Sequence, residues 1–102
     1  MHCLLEISPN VERLGEEAFA GTPIFSVAIP EGVKTIANGA FSGCTLLSRV
    51  DLPASLRTVE ENAFLGCDAL TTVIYDGPPK YFTSIYFGRG NETLVGVYLM
   101  GK

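Results

Sequence analysis

The sequence predicts a solenoid of the α/β class, a right-handed superhelix of short parallel β-strands joined by turns or single helical turns. Three observations predict it. The pair Ala-Phe recurs at Ala18-Phe19, Ala40-Phe41 and Ala63-Phe64, at spacings of 22 and then 23 residues. Apolar residues alternate in short segments that return in the same register: Leu5-x-Ile7, Val27-x-Ile29, Val50-x-Leu52 and Val73-x-Tyr75. A glycine stands two residues after each phenylalanine, at Gly21, Gly43 and Gly66. Self-similarity at a period near 23 residues marks stacked units, none of which buries its apolar edge alone.

Three segments align: Val11 to Thr22, Val33 to Cys44 and Leu56 to Cys67. The first period is shorter because one residue is missing between Thr22 and Ile24, relative to Cys44 and Leu47. In each unit the alternating segment reads as a strand with one buried face. Pro30 and Pro53 follow and end it, since proline has no N–H for a ladder. Val33-x-x-Ile36 and Leu56-x-x-Val59 mark a second short extended piece. The Glu/Asn/Gly-rich step and Ala-Phe-x-Gly then read as a tight turn or one helical turn, with the glycine free to take positive φ. Stacking predicts core columns of Phe19/Phe41/Phe64, Ile29/Leu52/Tyr75, Leu14/Ile36/Val59 and Ala18/Ala40/Ala63.

Composition sets the outer bounds. The chain has 102 residues, 47% hydrophobic and 18% charged, enough for one packed domain and unlike a disordered segment. Its net charge of −4 argues against a nucleic-acid binder, which needs a basic stripe to meet phosphates. No apolar run is long enough to span a bilayer. The opening Met1-His2-Cys3-Leu4-Leu5-Glu6 has no basic region leading into a long apolar stretch, so no secretory signal is expected within the chain. Three cysteines, Cys3, Cys44 and Cys67, do not suggest a disulfide-stapled scaffold.

The consensus strand-Pro-x-x-Val-x-x-Ile-x-x-x-Ala-Phe-x-Gly-Cys-x-x-Leu-x-x-Val resembles the BspA-like leucine-rich repeat, a 23-residue subclass of bacterial and protist surface proteins. Cys44-Thr-Leu-Leu47-Ser-Arg-Val50-Asp-Leu52-Pro53 and Cys67-Asp-Ala-Leu70-Thr-Thr-Val73 follow it closely; the first unit has Thr22 in place of the cysteine. Phe82-Thr-Ser-Ile85-Tyr-Phe-Gly88-Arg-Gly90-Asn91-Glu-Thr-Leu94 resembles the segment that closes such arrays, with Phe82 where a tryptophan is usual. The expectation is therefore a leucine-rich repeat solenoid: residues 1–75 as repeats (about three coils plus a partial one) and 76–102 as a C-terminal capping segment. The resemblance implies a cell-surface or secreted location and binding to other proteins, including host extracellular-matrix proteins. It implies adhesion rather than catalysis.

The residues that could carry chemistry have simpler structural readings. Cys44 and Cys67 share a repeat position on successive coils, which permits a disulfide or half of a metal site. A zinc centre wants four ligands, however, and the one histidine is His2. Buried thiols acting as small hydrophobes account for them better. Asn91-Glu92-Thr93 is an N-glycosylation sequon, but its Gly-x-Gly-Asn setting reads as a turn of the closing segment. Gly88-Arg89-Gly90 lacks the lysine, hydroxyl and following helix of a phosphate cradle. A nucleophile needs a base in reach, and no histidine lies inside the repeats. Glu16, Glu17, Glu60 and Glu61 read as solvated surface on the turn before Ala-Phe. No cofactor and no metal are expected.

Strand alternation turns Ser26/Arg49/Thr72 and Glu6/Ala28/Asp51/Ile74 outward. Ser26, Ala28, Arg49, Asp51, Thr72 and Ile74 thus form the candidate protein-binding surface, over a structural core of Phe19, Phe41, Phe64, Cys44 and Cys67. Glu12/Lys34/Arg57 and Arg13/Thr35/Thr58 face outward on the second extended piece. The aromatic group Tyr81, Phe82, Tyr86 and Phe87 is a rival contact site, or else covers the last coil. Two alternatives to a recognition module stay open: a structural spacer or cap of a larger protein, and an accessory region of an enzyme. Leu4-Leu5-Glu6-Ile7 is already a strand in register with no polar cap ahead of it. The reading is therefore a fragment or a truncated reading frame, whose open N-terminal coil can self-associate.

Overall fold

A computed structural model describes residues 4–7 and 10–100; His2 and Cys3 lie outside the described residues. The elements in order are β1 (Leu4–Glu6), β2 (Arg13–Leu14), β3 (Ser26–Ala28), β4 (Thr35–Ile36), β5 (Arg49–Leu52), β6 (Thr58–Val59), β7 (Thr72–Tyr75), α1 (Pro79–Phe82), β8 (Tyr86–Phe87) and α2 (Glu92–Met100). They build two four-stranded parallel sheets, β1-β3-β5-β7 and β2-β4-β6-β8. Each coil gives one strand to each sheet, so the chain is a leucine-rich-type repeat solenoid. The predicted register appears residue for residue: Leu5, Val27, Val50 and Val73 are aligned, as are Glu6, Ala28, Asp51 and Ile74.

The strands are short because punctuation follows them closely. β5 stops at Leu52, where Pro53 follows, and the Pro30 and Pro53 carbonyls accept the Val33 and Leu56 amides to close the corner between the sheets. Past the second strand no helix forms. Successive three-residue turns fold the Ala-Phe segment, closed by Ala40 N–H to Ala37 O and Ser42 N–H to Gly39 O, and repeated at Ala63 and Leu65. Gly21, Gly43 and Gly66 hold φ of +73°, +78° and +83°, left-handed backbone that suits glycine. A Cβ on Gly66 would lie 3.4 Å from the Gly43 nitrogen, in contact with the backbone of the preceding coil.

The core runs along the solenoid axis. Phe41 and Phe64 have no exposed surface and stack with ring centroids 5.2 Å apart, inclined by 10°. Phe19 continues the stack at 5.4 Å but is half-buried. Ala18, expected in the core, is exposed while Ala40 and Ala63 are buried. The physical reason is position: Ala18 belongs to the first turn, which has a neighbouring coil on one side only among the described residues.

Inter-coil hydrogen bonds run one way in the turns. Phe19 N–H donates to Ala40 O, Phe41 N–H to Ala63 O, Gly21 N–H to Ser42 O and Gly43 N–H to Leu65 O. Each turn thus hands its amides forward to the next coil. Residues from Asp76 onward stay within this scheme: β8 pairs with β6, Tyr86 beside Thr58, and Asn62 N–H donates to Arg89 O. Helix α2 packs on β7, with Leu94 fully buried. Tyr98 of α2 stacks on Phe82, centroids 3.7 Å apart, and Phe82 also touches Tyr75 and Phe87.

Candidate functional site

The outward face of the β1-β3-β5-β7 sheet carries the six surface residues. Ser26, Arg49 and Thr72 stand side by side in one row; Ala28, Asp51 and Ile74 form the next. The alternation that buries Val27, Val50 and Val73 leaves Ala28, Arg49 and Ile74 exposed and Ser26, Asp51 and Thr72 half-exposed. Ile74 keeps 43% of its surface in water, an apolar residue at the end of its row. Arg49 Nε donates to Asp51 Oδ1 at 2.9 Å, along the same strand. The hydrogen bond to Asp51, reinforced by its charge, raises the Arg49 pKa above its ordinary value.

Ala28, Asp51 and Ile74 open onto a dent of about 230 Å³ floored by Ile29, Leu52 and Pro53 and edged by Glu31 and Asp76. It combines an apolar floor with a carboxylate rim. That suits a partner side chain with an aliphatic stem and a cationic tip.

Arg13, Thr35, Thr58 and Tyr86 form the outward row of the β2-β4-β6-β8 sheet. The glutamates beside it do more than face solvent. Glu60 Oε1 accepts Asn38 N–H at 3.1 Å and its Oε2 lies 3.6 Å from Arg13, while Glu61 Oε2 accepts the Tyr86 hydroxyl at 3.0 Å. That bond, and the Glu61 charge, raise the Tyr86 pKa. Solvation alone is therefore the wrong account of Glu60 and Glu61, because their reach spans neighbouring coils.

Cys44 and Cys67 are buried and unpaired. Each thiol donates to the phenylalanine carbonyl one coil back: Cys44 Sγ to Phe19 O at 3.2 Å and Cys67 Sγ to Phe41 O at 3.3 Å. Thr22, at the same repeat position, turns its hydroxyl to Phe19 O of its own coil at 2.7 Å. Burial, more than the nearby Cys44, pushes the Cys67 thiol up to about 12. A thiol held neutral is a poor nucleophile and a poor metal ligand. Among the described residues no three His, Cys, Asp or Glu side chains converge as a metal site.

One residue with a defined role was not singled out from sequence for that role. Asn91 is 1% exposed. Its Oδ1 accepts Phe64 N–H at 3.0 Å, and its Nδ2 donates to Glu60 O and Gly88 O at 3.0 and 2.9 Å. At the same point in earlier coils the acceptor is a main-chain carbonyl, Ala40 O or Ala63 O. The Asn91 carboxamide therefore takes the place that a main-chain carbonyl holds in the earlier coils. With its nitrogen enclosed and doubly bonded, the folded sequon has no room for a glycan. Gly88 and Gly90 make this approach possible: a Cβ on Gly88 would lie 2.6 Å from Glu61 N, and one on Gly90 would strike Asn62 Oδ1.

With this geometry in hand, comparison with known proteins is specific. The profile of the BspA type leucine rich repeat region matches residues 3–92 in six copies, so the chain belongs to that family. It is similar to the crystal structure of a leucine rich cell surface protein from Faecalibacterium prausnitzii A2-165, at 36% identity and a TM-score of 0.75. The match covers 78% of this chain and 21% of that protein, so the chain spans about a fifth of its length. No curated protein matches the sequence. Among the described residues no helix is long and apolar enough to cross a membrane.

Proposed function

We propose that the chain is a non-catalytic recognition module of a surface-displayed or secreted repeat protein, acting in adhesion through the outward face of the β1-β3-β5-β7 sheet. The observation that carries this reading is the dent, where Ile74 and Ala28 meet the carboxylates of Asp51, Glu31 and Asp76. An apolar centre with a charged rim is the usual anatomy of a contact surface. Family membership and the cell-surface neighbour support a protein partner, with host extracellular-matrix proteins the first class to screen. The test is surface plasmon resonance of the chain over a panel of purified matrix proteins. For any that bind, the pair Asp51→Arg and Ile74→Asp should weaken binding about tenfold or more, near 1.4 kcal/mol. Unchanged affinity moves the site off this face.

A second reading is favoured by Asn91 and α2: residues 76–102 serve as an end piece for a longer array, a capping segment. Its mark would be a stability role without a binding role. Deleting residues 92–102 would then lower the melting temperature while leaving affinity for a sheet-face partner intact. A self-associating first coil belongs to the same picture, since β1 and β2 are edge strands. Light scattering that shows a monomer at millimolar concentration would remove it.

A further inference from the structure

A second concavity lies around the corner from the sheet face, where the segment after β7 folds back on the third coil. It has a volume of about 430 Å³ and is lined by Ala54, Leu56, Arg57, Tyr75, Pro78, Tyr81, Ser84 and Ile85. The floor is apolar, with Leu56 and Ile85 buried, and Tyr75, Pro78 and Tyr81 form the wall. Tyr81 keeps 52% of its surface exposed. Its neighbours Phe82 and Phe87 turn inward to cover the last coil, so the aromatic cluster is divided: part of it packs, and Tyr81 lines the cleft.

The electrostatics of the cleft run against those of the chain. The protein carries a net charge of −4, yet among the described residues Arg57 is the one charged side chain lining the cleft. Lys80 adds a second cation, its ammonium 5.3 Å from the Tyr81 ring centroid. Glu31 and Asp76 edge the dent on the sheet face, where Glu31 accepts Ala54 N–H, and Glu60 reaches Asn38 and Arg13. The guanidinium is also held in place: Arg57 Nη1 donates to the carbonyls of Ala54, Ser55 and Leu56 at 3.4, 3.1 and 3.4 Å. Its Nη2 and Nε have no partner among the described residues. A guanidinium fixed by one nitrogen presents the rest of its fork to a planar anion at little entropic cost.

We propose that this cleft binds a peptide C-terminus that ends in an apolar residue. The terminal carboxylate meets the free edge of Arg57. The last side chain lies against Leu56 and Ile85, between Tyr75, Pro78 and Tyr81. A C-terminal residue carries carboxylate and apolar side chain on one α-carbon, which a single compact cleft with one pinned cation requires. An internal aspartate or glutamate supplies the anion without the apolar group. The site is separate from the sheet face, so either reading can fail without the other.

The probe is acetyl-alanyl-prolyl-leucine, compared with its C-terminal amide and with an acetylated, amidated peptide that carries an internal glutamate. Binding is read by amide chemical-shift titration and calorimetry at low salt. The free acid should bind saturably, shifting the amides of Arg57, Tyr81, Ser84 and Ile85, with both amidated peptides about tenfold weaker or more. Ser84→Glu, which costs no hydrogen bond described here, should weaken the acid about tenfold by repulsion and leave the amidated leucine peptide within about twofold. Arg57→Gln should bring acid and amide to equal affinity. Three results would each overturn the proposal: equal binding of acid and amide by the unmodified protein, no effect of Ser84→Glu, or no saturation up to about 10 mM. An internal-glutamate peptide that matches the acid would overturn the terminal assignment.

Discussion

Replacing Asn91 by alanine tests the proposed capping of the solenoid. The substitution removes the acceptor of Phe64 N–H and the donor to Gly88 O at a residue only 1% exposed, while Glu60 O keeps the Ala63 N–H. A buried polar group left without its partner costs about 1–3 kcal/mol. The orphaned Phe64 N–H costs about 2 kcal/mol and the Gly88 carbonyl, whose second lone pair water or a neighbour can meet, about 1 kcal/mol, so the two come to about 3 kcal/mol. For a domain of this size that lowers Tm by about 12–24 °C. Urea unfolding followed by far-ultraviolet circular dichroism gives the free energy, and amide exchange gives the place. Phe64 N–H should lose protection more than Phe41 N–H, whose acceptor is the main-chain carbonyl of Ala63.

The charge variant Asn91→Asp adds a signature in pH. Burial and two facing carbonyls raise its pKa above the unfolded value of about 3.9. The folded state then binds the proton more tightly than the unfolded chain, so stability falls as pH rises from the unfolded pKa through the folded one. Asn91→Asp should therefore be more stable at pH 4 than at pH 7, the reverse of ordinary acid denaturation. A loss below about 1 kcal/mol for Asn91→Ala, or uniform loss of protection across the coils, would refute the assignment of Asn91 as the terminator.

Four further outcomes follow from the same geometry. Phe41→Ala should cost about 3–5 kcal/mol, and Phe19→Ala, half-buried with one ring neighbour, about half of that; equal costs in chemical denaturation would contradict the stacked column. Gly66→Ala should destabilise by about 1–2 kcal/mol from positive φ alone, and a neutral result in a melting experiment would remove the left-handed constraint. Cys67 keeps its proton up to about pH 12 in the folded chain, while an unfolded thiol releases it near 8.5. Native protein should thus resist iodoacetamide at pH 9 and lose stability between those two values as pH rises. Modification of Cys67 at pH 8 without unfolding would show that the thiol is accessible. Glu60→Gln keeps the Asn38 contact but loses the Arg13 pair, so its effect should stay below about 1 kcal/mol and vanish in salt.

The coil and its register were legible because they rest on local, repeated chemistry. Val27, Val50 and Val73 share one phase of alternation, and that phase decides which neighbours face out. The outward rows through Arg49 and Ile74 followed directly. What could not be read were effects that need a second coil in place. Glu17, Gly39 and Asn62 occupy one repeat position and all hold positive φ, at 55°, 68° and 64°. Glycine and asparagine at the same position were the available signal, and glutamate masked it. The hydrogen bonds of Glu60 and Glu61 depend on the distance between coils, which spacing along one chain does not reveal. Asn91 was visible only as a sequon and as one residue of the Gly-x-Gly-Asn turn. Its role became apparent once the forward direction of the turn amides was known, because that direction creates donors at the last coil that something must accept. The basic cleft at Arg57 joins residues from two coils and lay beyond any single motif.

The forward-running amides also make growth and closure of the solenoid separable operations. Any coil presents the same unmet donors to whatever comes after it, so the proposed Gly-x-Gly-Asn cap would be indifferent to how many coils precede it. Grafting residues 76–102 behind an earlier strand, in the register that β7 now holds, would yield a shorter rod with a finished end. On the proposed capping role, the array would behave like a ruler cut to length, with the carboxamide as the device that sets where the cut falls.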